Sequence, residues 1–194
     1  MVSVEINGQP AAFKTDGFSS IAEIVEMIKA SIDPEHMITE LVLNGKDLQD
    51  SDWSGRTSQY PTIELQAVTG TPAQFVHERF SMAWEVVNAM YTQFRDARKC
   101  FQSGQITSGN NQLVGAVNTS RAFFEWYSSI LGLVKPEDRK PYDIGELVVG
   151  ISETCKELCQ QQLYQSWWAL SEAIANKLEP QLDSLEDKCR KFAN

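Results

Sequence analysis

The chain has 194 residues, of which 42% are hydrophobic and 22% charged, with a formal net charge of −9. That is globular composition, enough for one large core or two small ones. Residues 1–69 carry −7 of the charge and residues 70–194 only −2; neither half clusters Lys and Arg as phosphate contacts require, so neither nucleic acid nor a membrane surface is an expected partner.

The first residues, Met1-Val-Ser-Val-Glu-Ile6, alternate like a strand and lack the basic start and apolar run of an export signal. No stretch approaches the roughly 18 apolar residues of a membrane span. The expected compartment is the cytoplasm, where Cys100, Cys155, Cys159 and Cys189 would be reduced thiols.

Val2, Val4 and Ile6 predict a half-buried strand, and Asn7-Gly8 a two-residue hairpin turn. The return strand is expected over Ala11–Thr15, with Phe13 inward. Ser20-Ile-Ala-Glu23 reads as a capping box opening a helix whose apolar face is Ile21, Ile24, Val25 and Ile28. Asp33-Pro34 stops it. Leu41–Leu43 is a short strand turned by Asn44-Gly45, and Ile63, Leu65 and Ala67 alternate with Glu64 and Gln66 in a last one.

Thr71-Pro72 then reads as a helix start, with Thr as cap and Pro at the first helical position. Val76, Phe80, Ala83, Val87, Met90, Phe94, Ala97 and Phe101 form a heptad seam that predicts one helix as far as Ser103-Gly104. A second helix is expected from near Ser108, with Leu113, Val117, Phe124 and Leu131 as its seam, thickened by Phe123, Trp126 and Ile130. Ile144, Val148, Ile151, Cys155 and Leu158 give a third. Ile174, Leu178, Leu182, Leu185, Cys189 and Phe192 give a last one, divided from the third between Gln160 and Ser171. Pro180 is expected to kink it. The fold class read from this order is α+β, with a sheet-and-helix domain over residues 1–69 and an antiparallel up-down four-helix bundle over residues 70–194.

The stretch Leu41-Val-Leu-Asn-Gly-Lys-Asp-Leu-Gln-Asp50 resembles the ubiquitin segment that turns through Gly-Lys out of a strand. With the helix Ile21–Ile28 and the last strand, it makes residues 1–69 similar to a ubiquitin-like β-grasp. Such modules commonly bind partners through a small apolar patch on the exposed sheet face. The resemblance puts Val42 on that patch's central position, exposed to solvent. Gln66 stands where the family has an apolar residue, so the patch is depleted. A conjugated tag or sulfur carrier ends in a free Gly-Gly. Here Val68-Thr69-Gly70-Thr71-Pro72 has one glycine and runs on into a helix. The resemblance therefore implies a permanent docking module. In the helical half, Leu170–Leu182 is similar to a Glu-Leu-x-Pro-x-Leu pattern near the end of flagellar export chaperone bundles, departing at Lys177, where the acidic residue would stand. That similarity implies a chaperone role.

Catalytic patterns are absent from the sequence: no phosphate-cradling loop, nucleophile elbow or dinucleotide fingerprint occurs, and His36 and His77 lack metal-site spacing. Cys155 and Cys159 sit one helical turn apart, and with Cys100 and Cys189 they raise a four-thiolate site as the alternative. Cys155 and Cys189 also fall on apolar seam positions, where cysteine acts as a small hydrophobe. Trp167 and Trp168 point about 100° apart on a helix, so burying both takes a wide interface; the pair reads either as core packing or as a binding or self-association surface with one ring beside a partner. The expected function is non-enzymatic and cofactor-free, adaptor or chaperone-like. Its partner would be another protein, a peptide segment or a second copy, and the candidate contact residues are Val42, Gln66, Trp167 and Trp168. The alternative is a bundle that binds a small molecule or metal, with the β-grasp as an accessory domain.

Overall fold

The computed structural model describes residues 2–193; Met1, the start of the predicted first strand, and Asn194 lie outside them. The chain is mixed α+β and divides into two compact units, Met1–Phe75 and Val76–Asn194.

The first unit contains β1 (Val2–Ile6), β2 (Gln9–Pro10), α1 (Ile21–Ser31), β3 (Met37–Leu43), β4 (Lys46–Asp47), α2 (Asp50–Trp53) and β5 (Ile63–Gly70). The strands form one sheet in the order β2-β1-β5-β3-β4. β1 and β5 run parallel, and the other pairs are antiparallel. Both tight turns hold Asn-Gly in left-handed backbone, with φ of 52° and 73° at Asn7 and Gly8 and 51° and 77° at Asn44 and Gly45. A two-residue hairpin loop demands that conformation, and these two residue types tolerate it best.

The Ser20 hydroxyl caps α1 by accepting the Glu23 N–H at 3.3 Å. The Glu23 carboxylate reaches one residue further back than a capping box does, taking the Ser19 hydroxyl at 2.6 Å and the Ser19 N–H at 2.8 Å. Those bonds, the hydroxyl's foremost, hold its pKa below the usual carboxylate value. Ile21, Ile24, Val25 and Ile28 are buried against Val4, Leu43, Ile63, Leu65 and Ala67.

Two expectations in this unit need correction. The return strand over Ala11–Thr15 does not form; paired strand is confined to Gln9–Pro10, and beyond Ala11 the chain turns out of the sheet. The Ala11 N–H still donates to Val4 O, and Phe13 packs edge-on to Phe18 as the segment leaves the sheet. β3 is longer than Leu41–Leu43. Its first half carries an irregularity between Ile38 and Glu40, which breaks the alternation that would have revealed it.

α3 (Pro72–Ser81) opens on a reciprocal cap, Gln74 N–H to Thr71 Oγ1 and Thr71 N–H to Gln74 Oε1. The boundary between the units falls inside this helix. α4 (Ala83–Gln102), α5 (Ile106–Leu131), α6 (Gly145–Leu163), α7 (Trp167–Ala173) and α8 (Glu179–Arg190) follow, with a π-helical turn, Ile174–Leu178, joining the last two. The single helix expected through Phe101 is broken at Met82, where φ is −102° and ψ 0°. Met82 lies off the seam, so all eight seam residues remain buried across the break.

Along α5 the buried line is Leu113, Ala116, Ser120, Phe123 and Tyr127; of the expected seam and the residues thickening it, Leu113 and Phe123 lie on this line, while Val117, Phe124, Trp126, Ile130 and Leu131 are half-buried beside it. Small residues let α5 approach its neighbour closely, and the larger apolar side chains fall to the flank. α4 packs against α5 on one side and α8 on the other, while α6 packs on α7 and α8. The predicted seam of the last tract is buried throughout. Before Pro180, which cannot donate to the carbonyl four residues back, the helix widens and the Glu179 N–H reaches Ile174 O.

Candidate functional site

The end of α6 closes without glycine or proline. The Ser166 N–H donates to Gln161 O at 2.9 Å and the Gln165 N–H to Gln162 O at 3.0 Å, which is the Schellman pair. Gln165 takes the left-handed position, with φ 53°. This turn sets Leu163, Tyr164 and Trp168 into solvent at 82%, 79% and 77% exposure.

Trp167, one residue before, turns inward and stacks on Phe101, ring centroids 5.5 Å apart and planes 5° from parallel. The same Phe101 ring rests on Gly109, where an added Cβ would meet it at 2.8 Å. Gln162 Nε2 donates to Asn110 Oδ1 at 2.8 Å, fastening α6 to the start of α5. The three exposed side chains therefore project from a braced corner. Because left-handed backbone strains any residue with a Cβ by roughly 1–2 kcal/mol, Gln165→Gly is expected to stabilise the chain by up to about 1 kcal/mol, glycine's extra unfolded-state freedom offsetting the rest. Urea midpoints of the two chains check this.

Of the two tryptophans, Trp168 is exposed and Trp167 half-buried. Leu163 and Tyr164 escaped the sequence reading. The available signal was spacing: Leu163 lies five residues beyond Leu158, one step off the helical seam.

On the sheet, Val42 and Gln66 are direct cross-strand partners. Glu5 stands beside Gln66 and Asp47 beside Val42. Val42 is half-buried, not fully exposed, and shares its row with two carboxylates. The sheet pair and the tryptophan pair belong to different units.

Burial pushes the Cys155 thiol up to about 11, aided by its neighbour Cys159, and the Cys189 thiol up to about 12. Thiols so shifted stay protonated and inert near neutrality. Cys100 donates weakly to Gln112 Oε1. Among the described residues no three His, Cys, Asp or Glu side chains gather in metal-holding geometry. Nor is any described helix long and apolar enough to cross a membrane.

No protein-family model matches this sequence, and no curated protein or solved structure matches it significantly.

Proposed function

We propose that this chain is a non-enzymatic interaction protein, adaptor or chaperone-like and cytoplasmic, that holds a protein or peptide segment of another molecule. The observation that carries the reading is the corner formed by Leu163, Tyr164 and Trp168, three large apolar side chains left more than three-quarters exposed on a braced turn. Tyr and Trp held rigidly at a surface are the residues that dominate binding energy at interfaces. We read the first unit as a ubiquitin-like β-grasp. Support comes from one helix packed across a mixed sheet whose first and last strands run parallel at its centre. Gly70 ends β5 and leads directly into the capped α3, which supports a fixed docking module over a releasable tag. The second unit is read as an up-down four-helix bundle, its four members being α3–α4, α5, α6 and α7–α8.

The test is a photo-reactive residue placed at Tyr164 in cells that make the protein, with exposed Lys99 as the control position. Crosslinking to one defined polypeptide from 164 and not from 99 is expected, and Trp168→Ala should weaken that capture about 30-fold, the roughly 2 kcal/mol of an aromatic hot spot. No crosslinked partner, or crosslinks to the chain itself alone, would refute the reading.

A further inference from the structure

Two depressions lie between α5 and α6, of about 210 Å³ and about 270 Å³. Cys155 and Cys159, one turn apart on α6, both line the smaller one. Its apolar walls are Leu113, Val114 and Val117 on α5 and Leu158 on α6. Arg121, the one charged side chain in the lining, is exposed to solvent. Both cysteines are free thiols; Cys155 is half-buried and Cys159 exposed.

Helix geometry decides what this pair can do. Residues four apart hold their Cβ atoms about 5–6 Å apart, whereas a disulfide needs about 3.5–4.5 Å. The two sulfurs therefore cannot close on each other without distorting the helix. One larger atom bonded to both, at about 2.3 Å each as in a metal thiolate, spans the difference. No third His, Cys, Asp or Glu joins the pair among the described residues, so such an atom takes two protein ligands. The adduct must also be neutral. Burial first, and then the neighbouring Cys159, hold the Cys155 thiol protonated, and a pair of thiolates beside these walls would be costly.

We infer that the Cys155–Cys159 pair and its depression bind a thiophilic metalloid centre that carries one apolar group, of the trivalent organoarsenical class. Such a centre, hydrated, bears two hydroxyls. Each thiol displaces one of them: an S–H and an As–O bond break, an As–S bond forms, and the proton leaves with the hydroxyl as water. Two such steps give a neutral arsenic bridge between the sulfurs and two waters. Arsenic stays trivalent, so neither oxidant nor reductant takes part. Exposed Cys159 reacts first, which makes the Cys155 step intramolecular. The Cys155 proton departs on the second water, so a thiol too buried to ionise still forms its bond. The organic group then lies against Leu113, Val117 and Leu158 in place of water. None of Leu163, Tyr164 and Trp168 is used, so the site goes beyond the corner reading and stands or falls separately.

The probe is phenylarsine oxide, added to the full chain, with arsenite, which lacks the organic group, as the second arm. The intact mass is expected to show one phenylarsenic group in place of two thiol hydrogens. Binding should fall about 100-fold in Cys155→Ser and in Cys159→Ser, because each loses the intramolecular second bond, and should be unchanged in Cys100→Ser. Cys159→Ser alters an exposed side chain and keeps the test decisive should Cys155→Ser fail to fold. The folded chain should hold phenylarsine oxide about tenfold more tightly than the same chain unfolded in urea, through the covered phenyl ring, a gain that arsenite does not share. Equal affinity for the folded and unfolded chain, or an equal gain for arsenite, overturns the inference, since the depression then contributes nothing. So does capture that survives Cys159→Ser, or a Cys155–Cys159 disulfide formed by the folded chain in air.

Discussion

Replacing Phe80 with alanine is expected to cost about 4 kcal/mol, a large share of the roughly 5–15 kcal/mol that holds a domain folded. Phe80 is wholly buried near the end of α3, at the centre of an aromatic cluster. Its ring stacks on Tyr127 with centroids 4.3 Å apart and planes 10° from parallel. Tyr142 lies 5.1 Å away, Trp126 5.7 Å and Phe192 5.8 Å. Each such pair adds about 0.5–1.5 kcal/mol beyond the apolar area it buries. The cavity left by alanine cannot collapse, because its walls are tied down. The Tyr127 hydroxyl donates to Tyr142 O, and burial raises the pKa of that phenol far above its usual value, so the bond persists at any working pH. Urea unfolding followed by tryptophan fluorescence is the measurement, since Trp84, Trp126, Trp167 and Trp168 all lie in the helical unit. Phe80→Leu, which keeps most of the volume, should lose only about 1.5 kcal/mol. A loss below about 2 kcal/mol for the alanine variant would mean that these rings are not packed as described.

Phe80 was legible because the seam from Val76 to Phe101 consists of large apolar residues at unbroken spacings of three and four. The last seam, Ile174 to Phe192, was legible for the same reason. α5 shows where this signal fails. Its buried line runs through Ala116 and Ser120, and Ser120 returns its hydroxyl to Ala116 O, so a polar residue is satisfied without leaving the core. Hydrophobicity alone then points to Val117 and Phe124, one step round the helix. The helix breaks divide in the same way. Gly104, φ 76°, ends α4 in a Schellman turn, and a glycine there announces itself. Gln165 performs the same task at the end of α6 with no sequence mark at all. Because that turn was unmarked, the exposure of Leu163 and Tyr164 was unmarked too. The adjacent tryptophans marked the region, but their 100° separation does not say which of the two faces solvent. The depressions between α5 and α6 were hidden more deeply, since their walls, Val117 and Phe124 on α5 and Cys155 and Val148 on α6, come from elements that only the tertiary packing brings side by side.

Removing Glu179 is the other substitution of large expected effect, at about 3 kcal/mol. Arg98 on α4 donates from Nε to Glu179 Oε1 at 2.6 Å and from Nη2 to Oε2 at 3.4 Å. The two side chains are only 19% and 11% exposed, so Glu179→Ala leaves a guanidinium half out of water with Gln102 Oε1, at 3.3 Å, as its remaining partner. Glu179 stands at the close of the widened turn, immediately before Pro180. Glu179→Gln keeps an acceptor and should lose about half as much. Replacing Arg98 and Glu179 together with methionine should come out near neutral, because the cost lies in the orphaned charge and not in the absence of the pair. A double-mutant cycle in urea measures this, and additive losses would show that the two side chains do not interact. Titration supplies a second readout that folding losses cannot imitate. The pKa of Asp183 is raised by burial first and then by the like charges of Glu186 and Glu179; that of Tyr91 is raised by burial and then by Glu179. In the Glu179→Gln chain both should fall back toward their ordinary values.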